Sequence, residues 1–208
     1  MLKIGVLVSG GGTNLQAVID KIESGYLKEC KIVTVVASKP DVFALERAKK
    51  HNIPGTYIAR KDYASIEEYG SALIEHFEGC DVELVVMAGF LSILGENFVK
   101  RYTNRIINIH PSLIPAFCGK GYYGLIPHCR ALEYGVKVAG ATVHFVDVEA
   151  DAGPIILQKA VYIKSDDTPE SLQKRVMEEA EWEILPQAIR LFSENKLLVE
   201  GRRVRILD

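Results

Sequence analysis

Residues 2–22 read LKIGVLVSGGGTNLQAVIDKI, and the way this stretch changes period decides the fold. Leu2–Val8 is a short apolar run that ends in glycines, as expected of a strand buried on both faces. From Thr13 onward Leu15, Val18, Ile19 and Ile22 recur at helical spacing, and Gly25 supplies a stop. A strand, a glycine turn and a helix in succession open a βαβ unit.

The alternation continues outward. Ile32–Ala37, Leu84–Ala88 and Ile106–Ile109 are further Val- and Ile-rich runs, and helical spacing falls over Val42–Lys50 and Tyr63–Phe77. The second of these helices places Ile66, Tyr69, Leu73, Ile74 and Phe77 on one side and ends at Gly79. After residue 110 the texture changes to a Gly, Pro and aromatic stretch, Pro111–Pro127, followed by a short helix around Cys129–Tyr134. Strands are expected at Lys137–Val146 and Ile155–Ile163, then a long helix from Pro169 to about Phe192 that bends or breaks at Pro186. Thr168 caps that helix and Pro169 suits its first turn. Leu197–Val199 and Val204–Ile206 flank Gly201-Arg202 as a terminal hairpin. The expected class is α/β: an open, mostly parallel twisted sheet with helices on both faces, a Rossmann variant.

The 208 residues are 48% apolar, enough for one self-sufficient domain spanning 1–208, with no linker or repeat dividing it. Twenty-five basic against 27 acidic residues leave a net charge of -2, and the basic residues are spread along the chain, with a compact cluster at Arg202, Arg203 and Arg205. Nucleic acid is therefore not the expected partner, whereas a small anion is compatible. Cys30, Cys80, Cys118 and Cys129 show no CxxC and no paired-ligand rhythm, so free thiols in a reducing compartment are expected, with no metal. No apolar run reaches the length of a membrane span and none resembles a signal peptide, so the expectation is a cytoplasmic protein that does not use a membrane.

The turn Ser9-Gly10-Gly11-Gly12-Thr13-Asn14 brings backbone amides and a helix N-terminus together, a place where a phosphate fits. It lacks the G-x-G-x-x-G spacing of a dinucleotide site and the lysine of a P-loop. Glycines that do no more than make a tight turn remain the alternative. Asn108 and His110 end an apolar strand two residues apart, so both point to one face at the carboxyl edge of the sheet, where open α/β proteins bind ligands. Pro111 then turns the chain out of regular structure. Asp151 precedes Gly153-Pro154 in a polar turn, ordinarily the place of a structural aspartate. It becomes a candidate for chemistry if its strand lies beside that of His110. His144 is read as a supporting hydrogen-bond partner in mid-strand, His51 and His76 as surface residues, and His128 as a residue of the loop region.

These segments together resemble the folate-dependent formyltransferases, and within them the branch that acts on phosphoribosylglycinamide. The resemblance rests on Ser9–Gln16 (SGGGTNLQ), Met87–Phe90 (MAGF), Ile107–Pro115 (INIHPSLIP), Val143–Val146 (VHFV), Asp151–Gln158 (DAGPIILQ) and Asp167–Leu172, with a glutamate before the final proline. The motifs run in family order over nearly the whole chain. The resemblance implies transfer of the formyl group of 10-formyltetrahydrofolate, a cosubstrate, to the amine of 5-phosphoribosylglycinamide in purine synthesis. It makes Asn108, His110 and Asp151 the catalytic trio and Gly11, Gly12, Thr13 and Asn14 the phosphate cradle. Glu181 falls at the glycinamide end, and Leu91, Ser92, Ile93, Leu94, Val143 and Ala150 fall around the pterin. It also implies a nucleotide-binding half, 1–110, a folate-binding and C-terminal half, 111–208, and a monomer or homodimer. Ser92 stands where many members carry arginine, and the loop from Cys118 to Pro127 is longer than usual.

In the implied chemistry the neutral amine attacks the formyl carbon directly. Asn108 and protonated His110 donate to the developing oxyanion, and Asp151 favours the imidazolium and relays a proton. Two other readings stay open: hydrolysis of 10-formyltetrahydrofolate, with water in place of the amine, and a non-enzymatic nucleotide-binding module. A transferase acting on initiator methionyl-tRNA is disfavoured, since Ile114–Gly119 does not resemble the SLLPxxRGAAP that follows the histidine in that branch.

Overall fold

The computed structural model describes residues 1–208, which divide into two compact units: Met1–Asn108 with Val146–Val148, and Ile109–Phe145 with Glu149–Asp208.

In the first unit β1 (Leu2–Val8) pairs in parallel with β2 (Cys30–Ala37) on one side and β4 (Leu84–Met87) on the other. The short β3 (Gly55–Tyr57) lies outside β2, and β5 (Ile106–His110) lies beside β4, so the order is β3-β2-β1-β4-β5. The chain winds outward through α1 (Thr13–Glu23) and α2 (Phe43–Lys50). It then returns through α3 (Ile66–Gly79) and α4 (Glu96–Arg101) to the other side of β1. Right-handed crossovers in opposite directions put these helix pairs on opposite faces and leave a switch point between β1 and β4. One face is packed by Tyr69, Leu73 and Phe77 of α3 and Phe98 and Tyr102 at α4, which close over Leu7, Val36, Val85 and Ile106. Those strand residues are fully buried, which is why the strands read as continuous apolar runs.

The third helix begins at Ile66, three residues later than its apolar stripe suggests. Ser65 caps it by accepting the Glu68 N–H at 3.0 Å, and the Glu68 carboxylate accepts the N–H of Ala64 at 3.1 Å. Tyr63 stays extended, and Arg60–Asp62 forms a single 3₁₀ turn before it. The sequence reading foresaw neither β3 nor α4, which have only three and six residues. His76 and His51, expected at the surface, are half-buried: His76 Nε2 lies 2.9 Å from Thr34 Oγ1, and His51 is bonded to both Glu23 and Gln16.

In the second unit β6 (Val138–Phe145) runs antiparallel to β7 (Ile155–Tyr162), with a register shift at Val143/His144. β9 (Arg203–Ile206) follows β7 in parallel and pairs with β8 (Leu197–Glu200), as the hairpin pattern suggests. The short helix α5 covers Ile126–Tyr134, earlier than expected, with Pro127 in its first turn. The long helix departs from expectation in where it breaks. α6 (Pro169–Val176) passes into a π-helical turn, Met177–Glu181, and α7 (Trp182–Ser193) continues straight through Pro186. Proline cannot donate to the carbonyl four residues earlier, that of Trp182, and the widened turn ends immediately before that residue. The start of α6 follows the sequence: Thr168 and Ser171 cap each other's backbone amides, with Pro169 in the first turn.

Candidate active site

The carboxyl edge of the first unit's sheet gathers the glycine turn after β1, Ser38 after β2, the segment after β4, and Asn108, which pairs with Met87. Ser9 and Ser38 hydroxyls lie 2.6 Å apart, and the Leu91 N–H donates to Ser9 Oγ at 2.9 Å. These bonds tie the start of the 91–94 segment to the root of the glycine turn. Leu91 and Ile93 leave 51% and 68% of their surface in water, an unusual exposure for two apolar residues so close together. Gly12 adopts φ 71°, and a Cβ there would lie 2.7 Å from the Cβ of Ala44, so glycine is required twice over. Gly10 and Gly11 are different: a Cβ at either meets nothing within 4 Å.

Asn108 and His110 share one face of β5, as their spacing requires. In the second unit Asp151, held at φ 55°, presents its carboxylate to two imidazoles. Oδ2 lies 3.5 Å from His110 Nδ1 and Oδ1 lies 3.6 Å from His144 Nε2. The antiparallel pairing of β6 and β7 carries the connecting turn, and Asp151 with it, to this position. The opposite nitrogen of each ring faces a carbonyl, which can only accept: His110 Nε2–H donates to Phe117 at 3.0 Å, and His144 Nδ1–H donates to Phe145 at 2.7 Å. Both rings thus have fixed orientations, and a proton on either inward nitrogen is shared with the carboxylate. The Gly119 N–H also donates to Asp151 Oδ2 at 2.8 Å.

Burial pushes the His110 imidazole below its ordinary pKa, against the opposing pull of Asp151 and the Phe117 carbonyl. For Asp151, burial alone would raise the carboxyl. The hydrogen bond from His144, the charge of His110 and the Gly119 N–H outweigh it and hold the group below the usual carboxylate range. The site therefore keeps a carboxylate ionised at neutral pH, next to an imidazole that gives up its proton readily.

Of the remaining sequence candidates, Glu181 is buried in the π-helical turn, Val143 is fully buried in β6, and Ala150 is exposed in the turn before Asp151. Thr13 opens α1, and Asn14 is buried in its first turn. Ser92 and Leu94 lie with Leu91 and Ile93 in the irregular segment before α4. Cys118 donates its thiol to the Pro115 carbonyl, and burial followed by the nearby Asp151 charge pushes its pKa up. No group of three or more His, Cys, Asp or Glu side chains is placed to hold a metal ion.

Arg47 carries no signal in the sequence, and His128, read there as a residue of the loop region, lies instead buried in a helix. Arg47, inside a polar helix, reaches the Gly11 carbonyl with Nε at 2.8 Å. His128, in the first turn of α5, is buried close enough to His110 for their charges to interact. An arginine on a charged helix face carries no local signal of this reach. His128 had one, a histidine following proline at a helix start, but the pattern does not predict burial.

The sequence profile of the family described as Formyl transferase matches residues 2–189. The phosphoribosylglycinamide formyltransferase of Haemophilus influenzae is 40% identical over 197 residues, covering 95% of this chain and 90% of that protein. The trifunctional purine biosynthetic protein adenosine-3 of Chironomus tentans is 44% identical over 190 residues, 91% of this chain, which spans only 13% of that longer protein. Among solved structures, glycinamide ribonucleotide transformylase 1 from Symbiobacterium toebii matches with a TM-score of 0.94 at 45% identity, covering 100% of this chain and 95% of that one. The fold in common is α/β, a mostly parallel sheet with helices on both faces.

Proposed function

The chain belongs to the formyl transferase family, and on that premise we propose that it transfers the formyl group of 10-formyltetrahydrofolate to the amine of 5-phosphoribosylglycinamide in purine biosynthesis. The observation that carries this reading is the Asp151 carboxylate, 3.5 Å from His110 Nδ1 and 3.6 Å from His144 Nε2, beside a strand end that also bears Asn108.

The acceptor amine attacks the formyl carbon, a new C–N bond forms, and the carbonyl electron pair moves onto oxygen. Collapse of this tetrahedral species breaks the bond to the folate nitrogen, which takes up the proton the amine gives away. Asn108 and His110 are the donors for the oxyanion, and removing one such donor costs roughly 3–4 kcal/mol of transition-state stabilisation. His110 reaches the oxyanion through the Nε2–H that here binds the Phe117 carbonyl, so that carbonyl gives way to substrate. Asp151 favours the imidazolium and relays the amine proton, while His144 orients Asp151 without touching substrate.

Gly11, Gly12, Thr13 and Asn14 hold the phosphate by backbone amides at the start of α1. Glu181 faces the glycinamide end. The family resemblance assigns Leu91, Ser92, Ile93 and Leu94, with Val143 and Ala150, to the pterin, and the exposed Leu91 and Ile93 side chains offer apolar surface that a flat ring would cover. The reaction calls on no metal, because the hydrogen-bond donors supply the electrophilic assistance. The purified protein, mixed with 10-formyltetrahydrofolate with and without 5-phosphoribosylglycinamide, tests the proposal. Folate release that depends on the amine, with a formylated product by mass, is expected. Equal release in water alone makes the protein a hydrolase, and no release makes it a binding module.

A further inference from the structure

The shape of the glycine turn is imposed from outside it, by α2. The Ala44 N–H donates to the Gly10 carbonyl at 3.1 Å, and Arg47 Nε donates to the Gly11 carbonyl at 2.8 Å. The only cis peptide of the chain is Ile114-Pro115, so both turn peptides are trans, and in a trans peptide the carbonyl and the following N–H point in opposite directions. With the carbonyls of Gly10 and Gly11 drawn toward α2, the N–H groups of Gly11 and Gly12 are aimed away from it. A Cβ on Gly10 or Gly11 would meet nothing within 4 Å, so no side chain crowds this stretch of the turn.

Arg47 is itself well fixed. Its guanidinium lies 4.8 Å from the centre of the Phe43 ring, and its NH1 group donates to Gln16 Oε1 of α1 at 3.0 Å. Gln16 is held in turn: its amide nitrogen donates to Asp20 at 2.8 Å and lies 3.2 Å from His51 Nε2, whose Nδ1 is 2.6 Å from Glu23. Arg47 thus joins the two helices that flank the turn.

We infer that Arg47 is a positioning residue of the phosphate cradle: it binds the Gly11 carbonyl and so aims the Gly12 N–H at the anion, without contacting the anion itself. This rests on the reading of the glycine turn as the phosphate site.

The side-chain chemistry allows a sharp test. In Arg47→Gln the amide nitrogen occupies the place of Arg Nε, so a donor to Gly11 survives while the charge is lost. In Arg47→Lys a methylene occupies that place, so the charge survives while the donor is displaced. Arg47→Ala removes both. Inorganic phosphate is titrated into the parent and all three variants by calorimetry, and steady-state kinetics with both substrates run alongside. The expected result is about tenfold weaker phosphate binding and a parallel rise in KM for 5-phosphoribosylglycinamide in the alanine and lysine variants, with glutamine within about threefold of the parent. The kcat and the KM for the folate should stay within about twofold, which a general loosening of the fold would not allow.

Parent-like phosphate binding in a folded alanine variant overturns the inference. So does a lysine variant like the parent together with a glutamine variant like alanine, since Arg47 would then be only a counter-charge. If alanine does not fold, the glutamine and lysine pair decides by the same criterion. A parent that binds phosphate but transfers no formyl group refutes the proposed reaction, and the phosphate titrations still decide the role of Arg47. A parent that binds no phosphate refutes the cradle and this inference together.

Discussion

His128 lies in the first turn of α5 at 1% exposure, and its Nε2 has no hydrogen-bond partner. Burial, reinforced by the neighbouring charge of His110, holds its pKa down at about 4 against an ordinary 6.5. Between those two values the unfolded chain binds a proton that the folded chain refuses. Stability must then fall as pH falls through this window, and below about pH 4 the loss is complete. At ~1.36 kcal/mol per pH unit the effect amounts to about 3 kcal/mol, a large share of the 5–15 kcal/mol typical of a whole protein. His128→Leu removes both the titration and the unpaired nitrogen, so at pH 7.5 the variant should be at least as stable as the parent. Urea unfolding of both proteins at pH 7.5 and pH 4 measures the difference. Acid also weakens the carboxylates held low in the fold, Asp151 and Asp167, but that loss is common to both proteins and cancels. The parent should lose about 3 kcal/mol more than the variant on acidification, and equal losses would refute the argument that burial keeps His128 neutral.

Two glycines of the turn should respond in opposite ways. Gly12→Ala forces a left-handed side chain against Ala44 and should cost about 2–3 kcal/mol in urea unfolding, whereas Gly11→Ala should leave stability within about 0.5 kcal/mol and weaken inorganic phosphate binding. If both variants lose stability alike, the turn has no open side. Cys118→Ser should retain turnover within about a factor of ten, because burial and the Asp151 charge keep the thiol protonated and direct amine attack needs no thiolate. Complete loss of turnover, with an S-formyl enzyme trapped from the parent, would show the opposite.

What could be read from the sequence was what local periodicity encodes. β1, β2 and β4 are buried on both faces, so their apolar runs are continuous, and α1 carries its stripe and its stop within a dozen residues. β3 and α4 are too short to show a period, and α3 starts where a Ser65–Glu68 cap places it, not where its stripe begins. The π-helical turn at 177–181 was displaced from the proline that draws the eye, because the backbone adjusts one turn ahead of Pro186. At the site, the i,i+2 spacing was enough to place Asn108 and His110 on one face. The approach of Asp151 to His110 depends on how β6 and β7 pair, which no local pattern contains. The reach of Arg47 and the burial of His128 are hidden for the same reason, since their partners lie 36 and 18 residues away in the chain.

The central claim, that Asp151 works with His110 to move a proton during formyl transfer, is tested most directly by single-turnover kinetics of Asp151→Asn. Asparagine tolerates the left-handed backbone at this position and can still accept the Gly119 N–H, so the geometry is kept while the negative charge is removed. Rapid-quench measurement with both substrates bound, over the pH range in which the parent is active, should give a rate lower by roughly 100-fold or more, equivalent to at least about 2.7 kcal/mol, with unchanged thermal unfolding and near-normal phosphate binding. Rates near those of the parent at every pH would contradict the claim and leave Asp151 as a turn residue beside a site run by His110 and Asn108.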